Sequence, residues 1–95
     1  MEKRRLLKYT WDTEKRESNL LKHGLDFVLA EQIINAPEML DLIDDRYDYG
    51  EERHIAYAVV NGERLCLCYT LREDEIRVIS LRHAHEKEWR RQHGT

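Results

Sequence analysis

Hydrophobic and polar positions along this chain follow a helical period in the first third and a strand period in the last half. Leu6 to Trp11 reads as a short strand. Asp12 then stands where an N-cap belongs, with Glu14 favourable in the first turn of a helix from about Thr13. That helix is predicted to stop at Gly24, a residue suited to the left-handed position after a helix, with Lys22 and His23 matching the negative end of the dipole. Asp26 restarts a second helix whose buried stripe is Phe27, Ala30, Ile33 and Ile34. Asn35 and Pro37 end it. Met39 to Ile43 is a second short strand, followed by a polar loop from Asp44 to Glu52.

From His54 onward the pattern is β. His54 to Val60 and Glu63 to Thr70 flank Asn61-Gly62, the preferred two-residue hairpin turn. A second turn near Glu73-Asp74 leads into Ile76 to Arg82, and Glu86 to Gln92 closes the chain as a helix. The order β-α-α-β-β-β-β-α predicts one α+β domain over residues 1–95. Two N-terminal helices pack on a largely antiparallel sheet of four or five strands, with a further helix at the C-terminus.

Two-residue turns predict a register. Arg53 should face Thr70, and His54 should face Tyr69. Across the second hairpin Thr70 should face Arg77, Tyr69 should face Val78 and Leu67 should face Ser80. One sheet surface then carries Arg53, Thr70 and Arg77 in a row, with Ile55, Cys68 and Ile79 beyond. The other carries His54, Tyr69, Ser80 and Arg82. Pattern alone does not say which surface the helices cover.

Charge changes the picture more than composition does. Charged residues make up 37% of the chain and the net charge is −3, which argues against a surface that attracts any polyanion. The blocks are uneven, however. Residues 38–52 are rich in Asp and Glu, whereas residues 76–95 carry Arg77, Arg82, Lys87, Arg90 and Arg91 against Glu86 and Glu88. A local positive site can exist inside a negative total, since charges separated by more than a Debye length of ~8 Å are largely screened. No apolar run approaches the length of a bilayer span and no signal-peptide core is present, so a cytoplasmic protein without membrane contact is expected. Cys66 and Cys68, two apart on a strand, are too far from each other for a comfortable disulfide and read as packed thiols.

Arg53, Arg72, Arg77 and Arg82 are the chemically interesting group. Several guanidinium groups aimed at one point suit a phosphate and would stabilise the charge of a phosphorane-like transition state. His23, His54 or Glu88 could move protons, because RNA cleavage without metal needs only a base for the 2′-hydroxyl and an acid for the leaving oxygen. Equally, the arginines could pair with the acidic loop and with Glu73, Asp74 or Glu88. Asp41, Asp44, Asp45 and Asp48 show no diagnostic metal-binding spacing, so neither metal nor cofactor is expected. His85 and Trp89 form an i, i+4 pair suited to packing. Lys15, Asn19, Lys22 and His23 share one stripe of the first helix, ordinarily a solvated face.

Three blocks resemble the BrnT family of bacterial type II toxins, small ribonucleases with a RelE-like fold. The first is Trp11-Asp12, Lys15, Asn19, Lys22-His23-Gly24 and Phe27-x-x-Ala30. The second is Asp45-Arg46-Tyr47-Asp48-Tyr49-Gly50-Glu51-Glu52-Arg53. The third runs through Tyr69-Thr70-x-Arg72 and Ile76-Arg77-x-Ile79-Ser80-x-Arg82-x-Ala84-x-x-x-Glu88. The resemblance implies a metal-independent endoribonuclease that inhibits translation. It also implies neutralisation by a BrnA-like ribbon-helix-helix antitoxin, in a 2:2 complex built through the antitoxin dimer, with operator DNA bound only through that partner. On this reading the RNA crosses the sheet, and Arg72, Arg77 and Arg82 hold the scissile phosphate. His23 or Glu88 carries the proton, and Lys15, Lys22, Arg53 and Ser80 bind RNA. The rival reading keeps the fold without the chemistry, as a nucleic-acid-binding or regulatory subunit.

Overall fold

A computed structural model describes residues 8–94. Strand β1 (Lys8–Thr10) leads into helix α1 (Thr13–His23), a single 3-10 turn (Phe27–Leu29) and a short helix α2 (Ala30–Ile34). Strands β2 (Leu40–Asp44), β3 (Arg53–Val60), β4 (Glu63–Arg72) and β5 (Glu75–His83) follow, and helix α3 (Glu86–His93) closes the order. The fold is α+β, with a five-stranded sheet in the order β1-β5-β4-β3-β2. Only β1 against β5 is parallel; the other pairs are antiparallel. Leu6 and Leu7, the start of the predicted first strand, lie outside the described residues. Among the described residues no helix is long and apolar enough to cross a membrane.

Local chemistry accounts for the element ends. The Asp12 carboxylate accepts from the Glu14 and Lys15 amides at 2.8 and 3.2 Å, and Gly24 takes φ +70° after α1. Asn61 and Gly62 both have positive φ, as a type I′ turn requires. The second predicted helix is split. Asp26 caps the 3-10 turn through the Val28 amide, and only Ala30–Ile34 is α-helical.

The helices α1 and α2 cover the sheet surface that carries Ala56, Leu65, Leu67, Tyr69, Ile76, Val78 and Leu81. These residues form one buried cluster with Leu25, Phe27, Ala30 and Ile33. Helix α3 lies at the opposite surface, edge-on to Tyr57 through Trp89 with ring centroids 6.2 Å apart. It buries none of its own residues. Trp89 stacks on His93 at 3.9 Å rather than pairing with His85.

The predicted register holds from Val60–Glu63 to Arg53–Thr70 in the first hairpin, and for Thr70–Arg77 and Tyr69–Val78 in the second. It then fails. A β-bulge between Cys68 and Tyr69 leaves Ile79 as the extra residue, so Ser80 faces Cys68 and Leu81, not Ser80, faces Leu67. Ser80 and Arg82 therefore share the surface of Arg53, Thr70 and Arg77, not that of His54 and Tyr69. The cause is packing. Ile76, Val78 and Leu81 are all buried in the core, and their 2-then-3 spacing reaches one surface only if one residue is looped out.

Asn19 also departs from expectation. It is 7% exposed, whereas its stripe of α1 reads as a solvated face. Strand β1 pairs with β5 only as far as Arg77, and among the described residues no strand lies beside the outer edge of β5 beyond the bulge. Asn19 bonds that edge instead, at Leu81.

Candidate active site

The surface of the sheet turned away from α1 and α2 holds two separate groups of charges. The first surrounds a cavity of about 190 Å³ at the bulge, lined by Lys15, Glu51, Arg53, Arg72, Arg77 and Ile79, with Asp12 and Val78 completing it. Each side chain arrives for a structural reason. The register places Arg53 and Arg77 on either side of Thr70. Arg72 ends β4, and the first turn of α1 carries Lys15 across the uncovered edge of β5.

Glu51 is brought in by a loop fixed at both ends. At one end Asp44, with 2% of its side chain exposed, accepts both arms of Arg46 at 2.8 and 2.9 Å and the Tyr49 hydroxyl at 3.0 Å. The Arg46 guanidinium holds the Asp44 carboxyl down at about 2. At the other end the buried Thr70 hydroxyl donates to the Glu52 carbonyl at 2.7 Å, while the Arg53 guanidinium lies 4.1 Å over the Tyr49 ring.

The electrostatics of this cavity are unbalanced. Glu51 lies 3.3 Å from Arg72 and 3.5 Å from Arg53, longer than the ~2.7–2.9 Å of a strong charge-assisted bond. Asp12 is occupied by its cap. Among the described residues neither Arg77 nor Lys15 has a carboxylate partner. Four cations thus face one loosely held carboxylate, in a chain of net charge −3.

The second group centres on Arg82 and Glu88. The guanidinium donates twice to the carboxylate, at 2.8 and 2.7 Å. Glu88 also accepts from the Tyr57 hydroxyl at 2.6 Å and from the His85 amide at 3.1 Å. The Arg82 bonds hold the Glu88 carboxyl at about 2, and burial together with Glu88 pushes the Tyr57 phenol up. This network fastens α3 to the sheet. It borders a different cavity, of about 230 Å³, with Asp44, Arg46 and Arg91.

The residues singled out in the sequence are thereby divided. Lys15, Arg53, Arg72 and Arg77 come together. Arg82 and Glu88 form their own pair on the same surface, with Ser80 opposite Cys68 on the strand between the two groups. Lys22 and His23 end α1, some 10–12 Å along the helix axis from Lys15 at 1.5 Å per residue, and line neither cavity. The acidic loop pairs with Arg46, Arg53 and Arg72, and Glu88 pairs with Arg82, so these arginines find partners within the protein. Of the four aspartates from Asp41 to Asp48, Asp41, Asp44 and Asp48 are engaged within the protein. Asp41 accepts from Tyr69 at 2.9 Å and lies 3.3 Å from His54, and Asp48 accepts from the Gly50 amide at 3.1 Å. Cys66 and Cys68 are free thiols.

Two residues of these groups escaped the sequence reading. Glu51 has a local signal, since it follows Gly50 in a Gly-Glu-x-Arg segment ending on Arg53. Tyr57 has none, because its nearness to Arg82 exists only once the bulge has turned Arg82 to its side.

A family model described as the ribonuclease toxin BrnT of type II toxin-antitoxin systems matches residues 11–88. The chain belongs to this family, and is therefore a ribonuclease toxin whose system includes an antitoxin. None of the curated proteins matches the chain.

Proposed function

We propose that this ribonuclease toxin is a metal-independent endoribonuclease that holds the scissile phosphate of RNA in the Lys15–Arg53–Arg72–Arg77 cavity and so inhibits translation. The observation that carries the reading is the convergence of four cations on about 190 Å³ with Arg77 and Lys15 uncompensated. A phosphate entering there gains planar two-point donors from arginine, and the same donors favour the additional charge of the transition state over the ground state. A metal-free course is supported by the aspartates. Asp41, Asp44 and Asp48 already accept bonds from tyrosine, arginine and backbone groups.

Arg82 and Glu88 act in this reading as the clasp of α3, since a carboxyl held near 2 and doubly bonded to arginine is a weak proton acceptor. Lys22, on the last turn of α1, and Ser80, between the two charged groups, extend the RNA path away from the cavity. The partner is a BrnA-like ribbon-helix-helix antitoxin, in a 2:2 complex through the antitoxin dimer, and it alone touches operator DNA. The three sequence blocks carry this part of the proposal.

The test is cleavage of RNA by the purified toxin in excess EDTA, beside an Arg77→Ala variant. Cleavage by the parent and its loss in the variant are expected. RNA that stays whole with EDTA and is cut on adding Mg²⁺ would replace the phosphate cradle with a metal site.

A further inference from the structure

We infer that Glu51 is the catalytic base of the arginine cavity, taking the proton from the 2′-hydroxyl next to the scissile phosphate. The inference rests on the ribonuclease reading above. The cavity has two carboxylates, Asp12 and Glu51. Asp12 is committed to the Glu14 and Lys15 amides as the cap of α1. Outside the cavity, Glu88 is gripped by Arg82 and Tyr57, His54 is stacked on Tyr69 at the other surface of the sheet, and His23 lies at the far end of α1. Glu51 remains.

Its setting suits the task. The side chain is 29% exposed, and its two oxygens lie 3.3 and 3.5 Å from Arg72 and Arg53. These contacts are long enough to yield to a phosphate, which would draw the two guanidinium groups to itself and leave Glu51 beside the ribose. The backbone around it is fixed by the Thr70 bond to the neighbouring Glu52 carbonyl, so the carboxylate is presented from a held loop. In the step, a Glu51 oxygen removes the O2′ proton as the O2′–P bond forms. The P–O5′ bond then breaks, its electron pair going to O5′, which takes a proton from water. The products are a 2′,3′-cyclic phosphate and a 5′-hydroxyl. Arg72 and Arg77 stabilise the intervening charge on phosphorus.

A base and a mere anionic placeholder predict opposite signs when Glu51 is neutralised. The experiment compares the parent, Glu51→Gln and Glu51→Asp in single-turnover cleavage of an RNA oligonucleotide across pH. Binding of its 2′-deoxy analogue is measured in parallel, with melting temperatures as a check on folding. Glu51→Gln should bind the analogue as tightly as the parent or tighter, because a negative charge leaves the cationic site. Its cleavage should nevertheless fall by about 10²–10⁴, the usual worth of a general base, and lose the acid limb of the pH profile. Glu51→Asp should keep slow cleavage with that limb. A Glu51→Gln variant cutting at the parent rate or faster would overturn the inference, as would equal loss of binding and cleavage. A parent that leaves the RNA whole would sink the ribonuclease reading itself, and this inference with it.

Discussion

Asn19 on α1 and Leu81 on β5 exchange two hydrogen bonds. The Asn19 amide donates to the Leu81 carbonyl at 2.7 Å, and the Leu81 amide donates to Asn19 Oδ1 at 3.0 Å. One side chain thus reproduces the donor and acceptor of a strand neighbour where β1 has ended. The same amide also donates to the Leu25 carbonyl at 3.1 Å, tying the turn after α1 to the sheet. Both partners are buried, so losing the side chain would leave the Leu81 backbone groups without partners.

Asn19→Ala should therefore cost about 1–3 kcal/mol, the penalty for orphaned buried polar groups. Thermal unfolding should show a drop of roughly 4–8 °C per kcal/mol lost. An unchanged midpoint would mean that water replaces the side chain at no cost.

Arg77→Ala and Arg82→Ala should part company. Arg77 has no partner among the described residues, so its removal should leave the melting temperature near that of the parent while cleavage falls on the order of 10²–10³. Arg82→Ala strips Glu88 of its two guanidinium donors, leaving it only the Tyr57 hydroxyl and the His85 amide, and should destabilise by about 1–3 kcal/mol, loosening α3. Equal melting temperatures for the two variants would contradict the division of the charges into two groups.

Acid should unfold the protein through its depressed carboxyls. Glu88 falls from 4.5 to about 2 beside Arg82, and Asp44 from 3.8 to about 2 beside Arg46. A carboxyl with a lowered folded value contributes stability that is complete above its unfolded value. That contribution is lost as pH drops from there toward the folded one. Stability should hence decline between about pH 4.5 and 2, and the decline should be shallower in a Glu88→Gln variant, measured as melting temperature against pH. Matching slopes would remove Glu88 from the account.

The thiols should be inert in the folded state. Burial pushes Cys66 up to about 11 and raises Cys68 as well, and the thiolate is the reactive form. Alkylation near pH 8 should be far slower in the native protein than in urea. Prompt labelling of the native chain would show that the Cys66 surface opens readily.

What the sequence determined by itself is what acts over a few residues. The cap at Asp12, the stop at Gly24 and the Asn61-Gly62 turn each follow from backbone geometry that neighbouring residues impose. From that turn and the one at Glu73-Asp74 the register through Arg53, Thr70 and Arg77 follows by counting. The three blocks led to the right family for the same reason, since they are ordered features of the chain itself.

Tertiary structure decided everything that depends on which distant segment comes near. Arg77 and Arg82 look alike in the sequence, five residues apart on one strand. Between them the core demanded Val78 and Leu81 on one surface, and the looped-out Ile79 that satisfies this demand turned Arg82 toward Tyr57 and Glu88. Arg77 instead lines one cavity with Lys15 and Glu51, which belong to a helix and a loop far away in the chain. Asn19 became buried because β1 stopped short. A charge is defined by its neighbours within a few ångströms, and only the packed chain says which neighbours those are.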